Sequence, residues 1–205
     1  MKLIFVRHCK TFNNENNKWS GQHDAQISLE GVSQLFTLKE KMSEFKIDKV
    51  YSSPLERCIL TASVMVDNPK DIIVDRLLIE RDFGILEGRR CNPRHKMKLG
   101  NCDLNTDLHL GVEKVQTMYY GRVKPIIRKI IRENPNKTVV IVGHSWIGRL
   151  LKFYSTNEKT KHVIYVPPVN AQPYVYEFPD VKKRTNNKTN IKLSSDNKLN
   201  KDIAH

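Results

Sequence analysis

The sequence has no long hydrophobic run. Four consecutive apolar residues, Leu3 to Val6, precede Arg7-His8, which is too short for the core of a secretory signal. No stretch approaches the roughly 20 apolar residues of a membrane span. Membrane insertion is therefore excluded from the expectations, and the expected compartment is the cytoplasm. The four cysteines, Cys9, Cys58, Cys91 and Cys102, form no CxxC pair. In a reducing compartment they read as free thiols. Cys91, His95, Cys102 and His109 match no standard zinc spacing, so no metal site is expected. No internal repeat is present, which sets aside a repeat array.

Acidic residues are also scarce, with 22 Asp and Glu against 35 Lys and Arg and a net charge of +13. Such a balance calls for an anionic partner: nucleic acid, a membrane surface or a phosphorylated small molecule. From Asp180 to His205 seven basic and three acidic residues give +4, leaving +9 in the body. The tail has no aromatics on which bases could stack and no amphipathic apolar face, so it reads as a basic, disordered extension. At most, Lys182-Lys183-Arg184 suggests a weak contact with nucleic acid. A phosphorylated small molecule is the expected partner.

A chain of 205 residues, 39% hydrophobic and 28% charged, suits one globular domain, here residues 1–179, followed by the tail 180–205. Residues 2–6 are a continuous apolar run of the kind buried on both faces of a sheet. A polar, Asn-rich loop follows, to about Ile27. Ser28 then suits the cap of a helix with Val32, Leu35, Phe36, Met42 and Phe45 at helical spacing. Lys49-Val50-Tyr51 predicts a second strand. In Ser53-Pro54-Leu55-Glu56, Ser53 suits an N-cap, Pro54 the first helical position and Glu56 a capping box. That helix would run through Arg57, Leu60, Thr61 and Val64. Ile72 to Val74 predicts a third strand, and Arg89 to Gly111 is aperiodic. A helix with Val123, Ile126, Ile127, Ile130 and Ile131 as its apolar stripe follows, with Pro125 early in it or at a kink. Thr138 to Val142 predicts a fourth strand, broken at Gly143-His144-Ser145. A helix from about Trp146 and a strand over Tyr174 to Phe178 complete the pattern. Alternating strands and helices imply an α/β sandwich: a mostly parallel central sheet with helices on both faces.

Two histidines occupy equivalent places, His8 after the first strand and His144 after the fourth. Open α/β sheets bind ligands beyond the carboxyl ends of their strands, so both imidazoles are expected to face one crevice. Arg7 and Arg57 also lie at strand ends. Arg57 sits in the first turn of a helix whose start would add free amides and a positive dipole end. Two guanidinium forks, a helix start and two imidazoles suit a phosphate.

The motifs around these residues resemble those of the histidine phosphatase superfamily, which includes cofactor-dependent phosphoglycerate mutases and fructose-2,6-bisphosphatases. RHCKTFNN is similar to RHGET-x-x-N. NKWSGQHDAQISLEG, YSSPLERCILTA, ERDFGILEG and VPPVNAQPYVYEF are similar to further family elements. The resemblance covers about Met1 to Phe178 and implies the phosphoglycerate mutase-like fold. It implies a phosphatase in which His8 attacks phosphorus and becomes a phosphohistidine, while Arg7, Arg57 and His144 hold the non-bridging oxygens. Glu80 would protonate the leaving oxygen. Asn14, Ser20 and Gly21 match positions that line the substrate site. No metal or other cofactor is implied, because arginines supply the positive charge. Glu87 is the rival for the acid, although a brace for its loop is the preferred reading.

Two positions depart from the family pattern. Cys9 replaces a glycine beside the nucleophile. It is read as a tolerated small residue, or else as a thiol activated by Arg7 and Lys10. Lys10 replaces a glutamate, which should make the mouth more cationic and favour multiply charged anions at the substrate site. Arg89, Arg90, Arg94, Lys96 and Lys98 could take a second anion or form a solvated face. The expected function is hydrolysis of small phosphomonoesters. The alternatives are a 2,3-bisphosphoglycerate-dependent mutase and a catalytically weak anion- or protein-binding member of the family.

Overall fold

A computed structural model describes residues 1–92, 110–156 and 166–179. Arg94, His95, Lys96, Lys98, Cys102, His109 and the tail from Asp180 lie outside the described residues. The strands are β1 (Lys2–Arg7), β2 (Lys49–Ser52), β3 (Ile72–Val74), β4 (Thr138–Gly143) and β5 (Pro173–Glu177), and they form one sheet in the order β3-β2-β4-β1-β5. The first four are mutually parallel, and β5 closes the β1 edge antiparallel. The helices are α1 (Phe12–Glu15), α2 (Leu29–Ser43), α3 (Glu56–Ser63), α4 (Val115–Met118), α5 (Lys124–Glu133) and α6 (Ser145–Thr156). Among the described residues no helix is long and apolar enough to cross a membrane.

Side chains alternate across the pleat, which sorts the apolar runs of β1 and β4 between two cores. Leu3, Phe5, Val139 and Ile141 point to one face, where α4, α5 and α6 cover them. Ile4, Val6, Val140 and Val142 point to the other, under α2 and α3. Each is 0% exposed, and full burial of such a side chain contributes about 1.5–3 kcal/mol. The expected sheet with helices on both faces is therefore present.

Several local expectations change. The loop after β1 contains α1, capped reciprocally by Thr11 and Asn14. Ser28 does cap α2, accepting from the Gly31 amide at 3.2 Å. On α2, however, Val32 and Phe36 are exposed, as is Leu60 on α3, and Gly31, Leu38 and Met42 are the buried residues of α2. Helical spacing found the helix and part of its inner face, since Leu35, Met42 and Phe45 pack on the core, but Val32 and Phe36 were misplaced. The helix α3 begins at Glu56 without a side-chain cap from Ser53. Asp24, 32 residues away in sequence, accepts from the Glu56 amide at 2.5 Å and the Arg57 amide at 3.5 Å. Pro125 lies in the first turn of α5, but the chain before it is already helical, so its missing N–H falls where the helix widens rather than at a free helix start. A wider π-helical turn, Tyr119–Val123, joins α4 to α5.

α6 packs so closely over β1 that only glycine fits at one point. A Cβ on Gly148 would lie 2.4 Å from Phe5 Cε1 and 2.8 Å from Pro168 Cγ. Phe5 is fully buried and cannot swing away, so Gly148→Ala is expected to destabilise the fold by about 1–3 kcal/mol through overpacking. A urea midpoint shift at unchanged m-value checks this.

Candidate active site

β1 and β4 are neighbours in parallel register, with Arg7 opposite Gly143. The next residue of each strand is a histidine, so the register alone brings His8 and His144 together. Their ring centroids are 5.3 Å apart in an edge-on arrangement. The chain leaving β1 crosses to the core under α2, whereas the chain leaving β4 enters α6 on the opposite face. The two exits diverge, and divergence at the carboxyl ends of parallel strands opens a crevice. The cavity there measures about 350 Å³ and is lined by Arg7, His8, Lys10, Asn14, Ser20, Gly21, Arg57 and Glu80 among others. His144 is the one expected site residue that does not line it. It lies fully buried behind His8 and Arg57.

The His8 Nδ1–H donates to the Cys9 carbonyl at 2.7 Å, which leaves Nε2 with its lone pair. Burial, then the charges of Arg57 and Arg7, hold the His8 pKa well below the usual histidine value. The imidazole is thus neutral at pH 7. His8 is fixed from the backbone as well: its amide donates to Gly143 O at 2.9 Å and its carbonyl accepts from Asn170 Nδ2 at 2.7 Å.

His144 is likewise neutral, its pKa held well down by burial first and by Arg57 next. Arg57 can only donate, so His144 Nδ1 accepts from its NH2 group at 3.3 Å. That assigns the ring proton to Nε2, which donates to Ser53 Oγ at 2.7 Å.

Arg57 is 1% exposed and almost fully committed. Its NH1 group donates to His23 O at 2.8 Å and Asp24 Oδ1 at 3.1 Å. Its NH2 group donates to Gly21 O at 2.7 Å besides His144. Its Nε is buried without a partner. Arg7 spends NH1 on Pro168 O at 3.0 Å, and its Nε also lacks a partner. Ser20 Oγ and Trp19 Nε1, from residues that line the same cavity, are two more buried polar atoms without a partner among the described residues. Buried donors without acceptors are costly, and these four belong to residues that line one cavity. The free amides expected at the start of α3 are not available to a ligand, because Asp24 holds them.

Glu80 is 6% exposed, and burial pushes its carboxyl pKa up against the pull of the Arg81 amide and of Arg57, Arg7 and Arg122. The carboxyl accepts from the amides of Arg81 at 2.8 Å and Trp146 at 3.2 Å. Its backbone carbonyl is held by Arg122 at 3.0 Å and by Gln22 at 3.2 Å. Arg122 lies in the π turn, where the widened backbone re-aims it toward Glu80 and Glu113.

Asn14 spends its Oδ1 on Thr11, so its NH2 group is the donor it can offer the cavity. The Lys10 ammonium pairs with Glu30 at 2.6 Å, and the mouth is less cationic than expected. Arg89 and Arg90 are exposed and do not line the cavity. The activated-thiol reading of Cys9 is overturned: it is fully buried, and burial pushes its pKa up to about 11. Glu87 does not line the cavity and accepts from backbone amides, as a brace would. Sequence reasoning missed Asp24, Ser53, Asn170 and Arg122 as partners of the site, although the first three lie inside the motifs that carried the resemblance.

Comparison with known proteins gives a match to the model of the histidine phosphatase superfamily (branch 1) over residues 3–190. Phosphoserine phosphatase 1 of Hydrogenobacter thermophilus is 28% identical over 161 residues, 71% of each chain. Phosphoglycerate mutase-like protein 4 of Arabidopsis thaliana is 26% identical over 159 residues, 73% of this chain and 69% of that one. A mycobacterial glucosyl-3-phosphoglycerate phosphatase solved with VO3 superposes with a TM-score of 0.76 at 21% identity. It covers 86% of this chain and 92% of its own, and shows the same fold.

Both buried histidines couple folding to pH. Their folded pKa values lie below that of an unfolded histidine, about 6.5, so the unfolded chain binds more protons as pH falls through that value. Stability is therefore full above about pH 7 and declines below it, by up to about 1.4 kcal/mol per pH unit for each histidine. The raised pKa of Glu80 works in the opposite sense. In His144→Gln the decline between pH 7 and 5 is expected to be shallower than in the wild type, as read from urea midpoints. Parallel slopes would contradict the assignment.

Proposed function

Because the chain belongs to the histidine phosphatase superfamily, and with it to the phosphoric monoester hydrolases, we propose that it hydrolyses small phosphomonoesters through a phosphohistidine on His8. One observation carries the reading. His8, whose Nε2 is unprotonated, lines one cavity together with Arg7 and Arg57, whose buried Nε atoms have no partner among the described residues.

In the first step the His8 Nε2 lone pair forms the N–P bond while the ester P–O bond breaks. The leaving oxygen takes its proton from Glu80, whose raised pKa supports the acid form. Arg7 and the Arg57 Nε–H stabilise charge on the phosphoryl oxygens, with Ser20 Oγ and the Asn14 amide as further donors. The guanidinium groups supply the charge that metal ions supply in other phosphoryl-transfer sites. His144 acts from behind, holding Arg57 and packing against the His8 ring. In the second step water attacks phosphorus, the N–P bond breaks and Glu80 takes the water proton. Inorganic phosphate leaves, and both groups return to their starting states.

The wild type is expected to release phosphate in EDTA from members of a phosphomonoester panel that includes phosphoserine and phosphoglycerates. His8→Ala should lower turnover by on the order of 10³-fold or more and abolish the acid-labile phosphoenzyme. Full activity in that variant would overturn the mechanism. A requirement for a bisphosphate primer with little net phosphate release would replace the reading with a mutase.

The pH profile has a definite sign. Activity should persist below pH 6.5, since the depressed His8 pKa keeps the nucleophile neutral there, and should fall at higher pH as Glu80 loses its proton. Glu80→Gln should lose about 10²–10⁴-fold on alkyl phosphates. It should lose much less on p-nitrophenyl phosphate, whose leaving group needs no proton. Equal losses on both esters would remove Glu80 from the acid's role.

A further inference from the structure

We propose that Glu87 is a positioning residue: its carboxylate fixes the Gly21–Asp24 strap, and that strap in turn holds the Arg57 guanidinium in the phosphate site. Glu87 Oε1 accepts from the Gln22 amide at 2.8 Å and the Phe83 amide at 3.0 Å. Oε2 accepts from the His23 amide at 2.9 Å, and His23 Nδ1 lies 3.3 Å from the same oxygen. The side chain is 5% exposed. One carboxylate thus gathers three backbone amides from two separate segments.

The other edge of the same strap faces Arg57. Gly21 O and His23 O, which flank the amides held by Glu87, accept from NH2 and NH1 of Arg57. Asp24 at the strap's end takes NH1 as well and caps α3, the helix that carries Arg57. Three of the four hydrogen-bond partners of this guanidinium therefore come from one short loop. Its unpartnered Nε points where it does because the other donors are pinned.

An independent feature shows how tightly carboxylate and strap are matched. Gly21 has φ +53°, and a Cβ built there would lie 1.8 Å from Glu87 Oε1. The carboxylate occupies the space a side chain would need, so the strap carries glycine at that position for both reasons.

The proposal rests on the phosphatase reading only for the meaning of the site, since its test reads anion binding directly. Glu87→Gln keeps the volume but turns one acceptor oxygen into an NH2 group that faces backbone donors. The dissociation constant of inorganic vanadate, measured by calorimetry, is expected to rise about tenfold, with a matching fall in kcat/KM for a phosphomonoester. In an Arg57→Ala background the same substitution should change the vanadate constant by less than about twofold, because its route to the site is gone. Equal effects in the two backgrounds, or an unchanged constant in the folded single variant, would overturn the proposal. Should Glu87→Gln not fold, Gly21→Ala displaces the same carboxylate from the strap side, and the same non-additivity with Arg57→Ala is expected. A wild type that binds vanadate but releases no phosphate from any ester would end the phosphatase reading and leave this test intact.

Discussion

The parallel pairing of β1 with β4 sets the position of everything else in the site. Arg7 stands opposite Gly143, so both strands run out in step and their next residues, two histidines, meet at the sheet's end, His8 lining the cavity and His144 packed behind it. The register is secured along its whole length by burial on two faces. A slip of one residue would exchange Leu3 and Phe5 with Ile4 and Val6 between cores packed by different helices. It would also separate the two imidazoles. Core packing and the placement of the two histidines thus rest on one constraint, and neither can drift without the other.

The site gathers two guanidinium groups, two imidazoles and a carboxyl that are almost fully buried, and burial costs every charged form. The fold meets this cost in three ways. Both imidazoles remain neutral, each with a tautomer set by a hydrogen bond to its Nδ1. The guanidinium of Arg57 is compensated by two backbone carbonyls and Asp24. The remaining donors, Arg7 Nε, Arg57 Nε and Ser20 Oγ, have no partner among the described residues. An electrostatic arrangement left short of an acceptor is preorganised for an anion, since the ligand completes a network that is already rigid.

Much of the fold was legible because its signals are local. The short apolar runs at residues 2–6 and 138–142 could only be buried strands, and the Ser28 cap marked the start of α2 correctly. The outward face of α2 was not legible. Met42 is buried and Leu35 packs on the core as expected, but Val32 and Phe36, which have the composition of core residues, face outward while Gly31 and Leu38 are buried. The start of α3 failed for a related reason. Ser53-Pro54-Leu55-Glu56 carries every local mark of a capping box, but Ser53 turns to His144 and Asp24 supplies the cap from a distant loop.

The sequence by itself determined which residues could do the chemistry and where along the strands they fall, because residue type and strand-end position are properties of the chain. It also determined that Cys9 stands beside His8, though not the thiol's fate, which burial decides by disfavouring the thiolate. Only the tertiary structure decided how far each charge is spent. Lys10 is paired with Glu30, Arg57 keeps a single unpartnered nitrogen, His144 lies behind the cavity and Glu87 faces away from it. Hydrogen-bond partners are chosen by distance in space. The loop that supplies most of those partners reaches Arg57 across more than 30 residues of chain, a separation over which local sequence carries no signal.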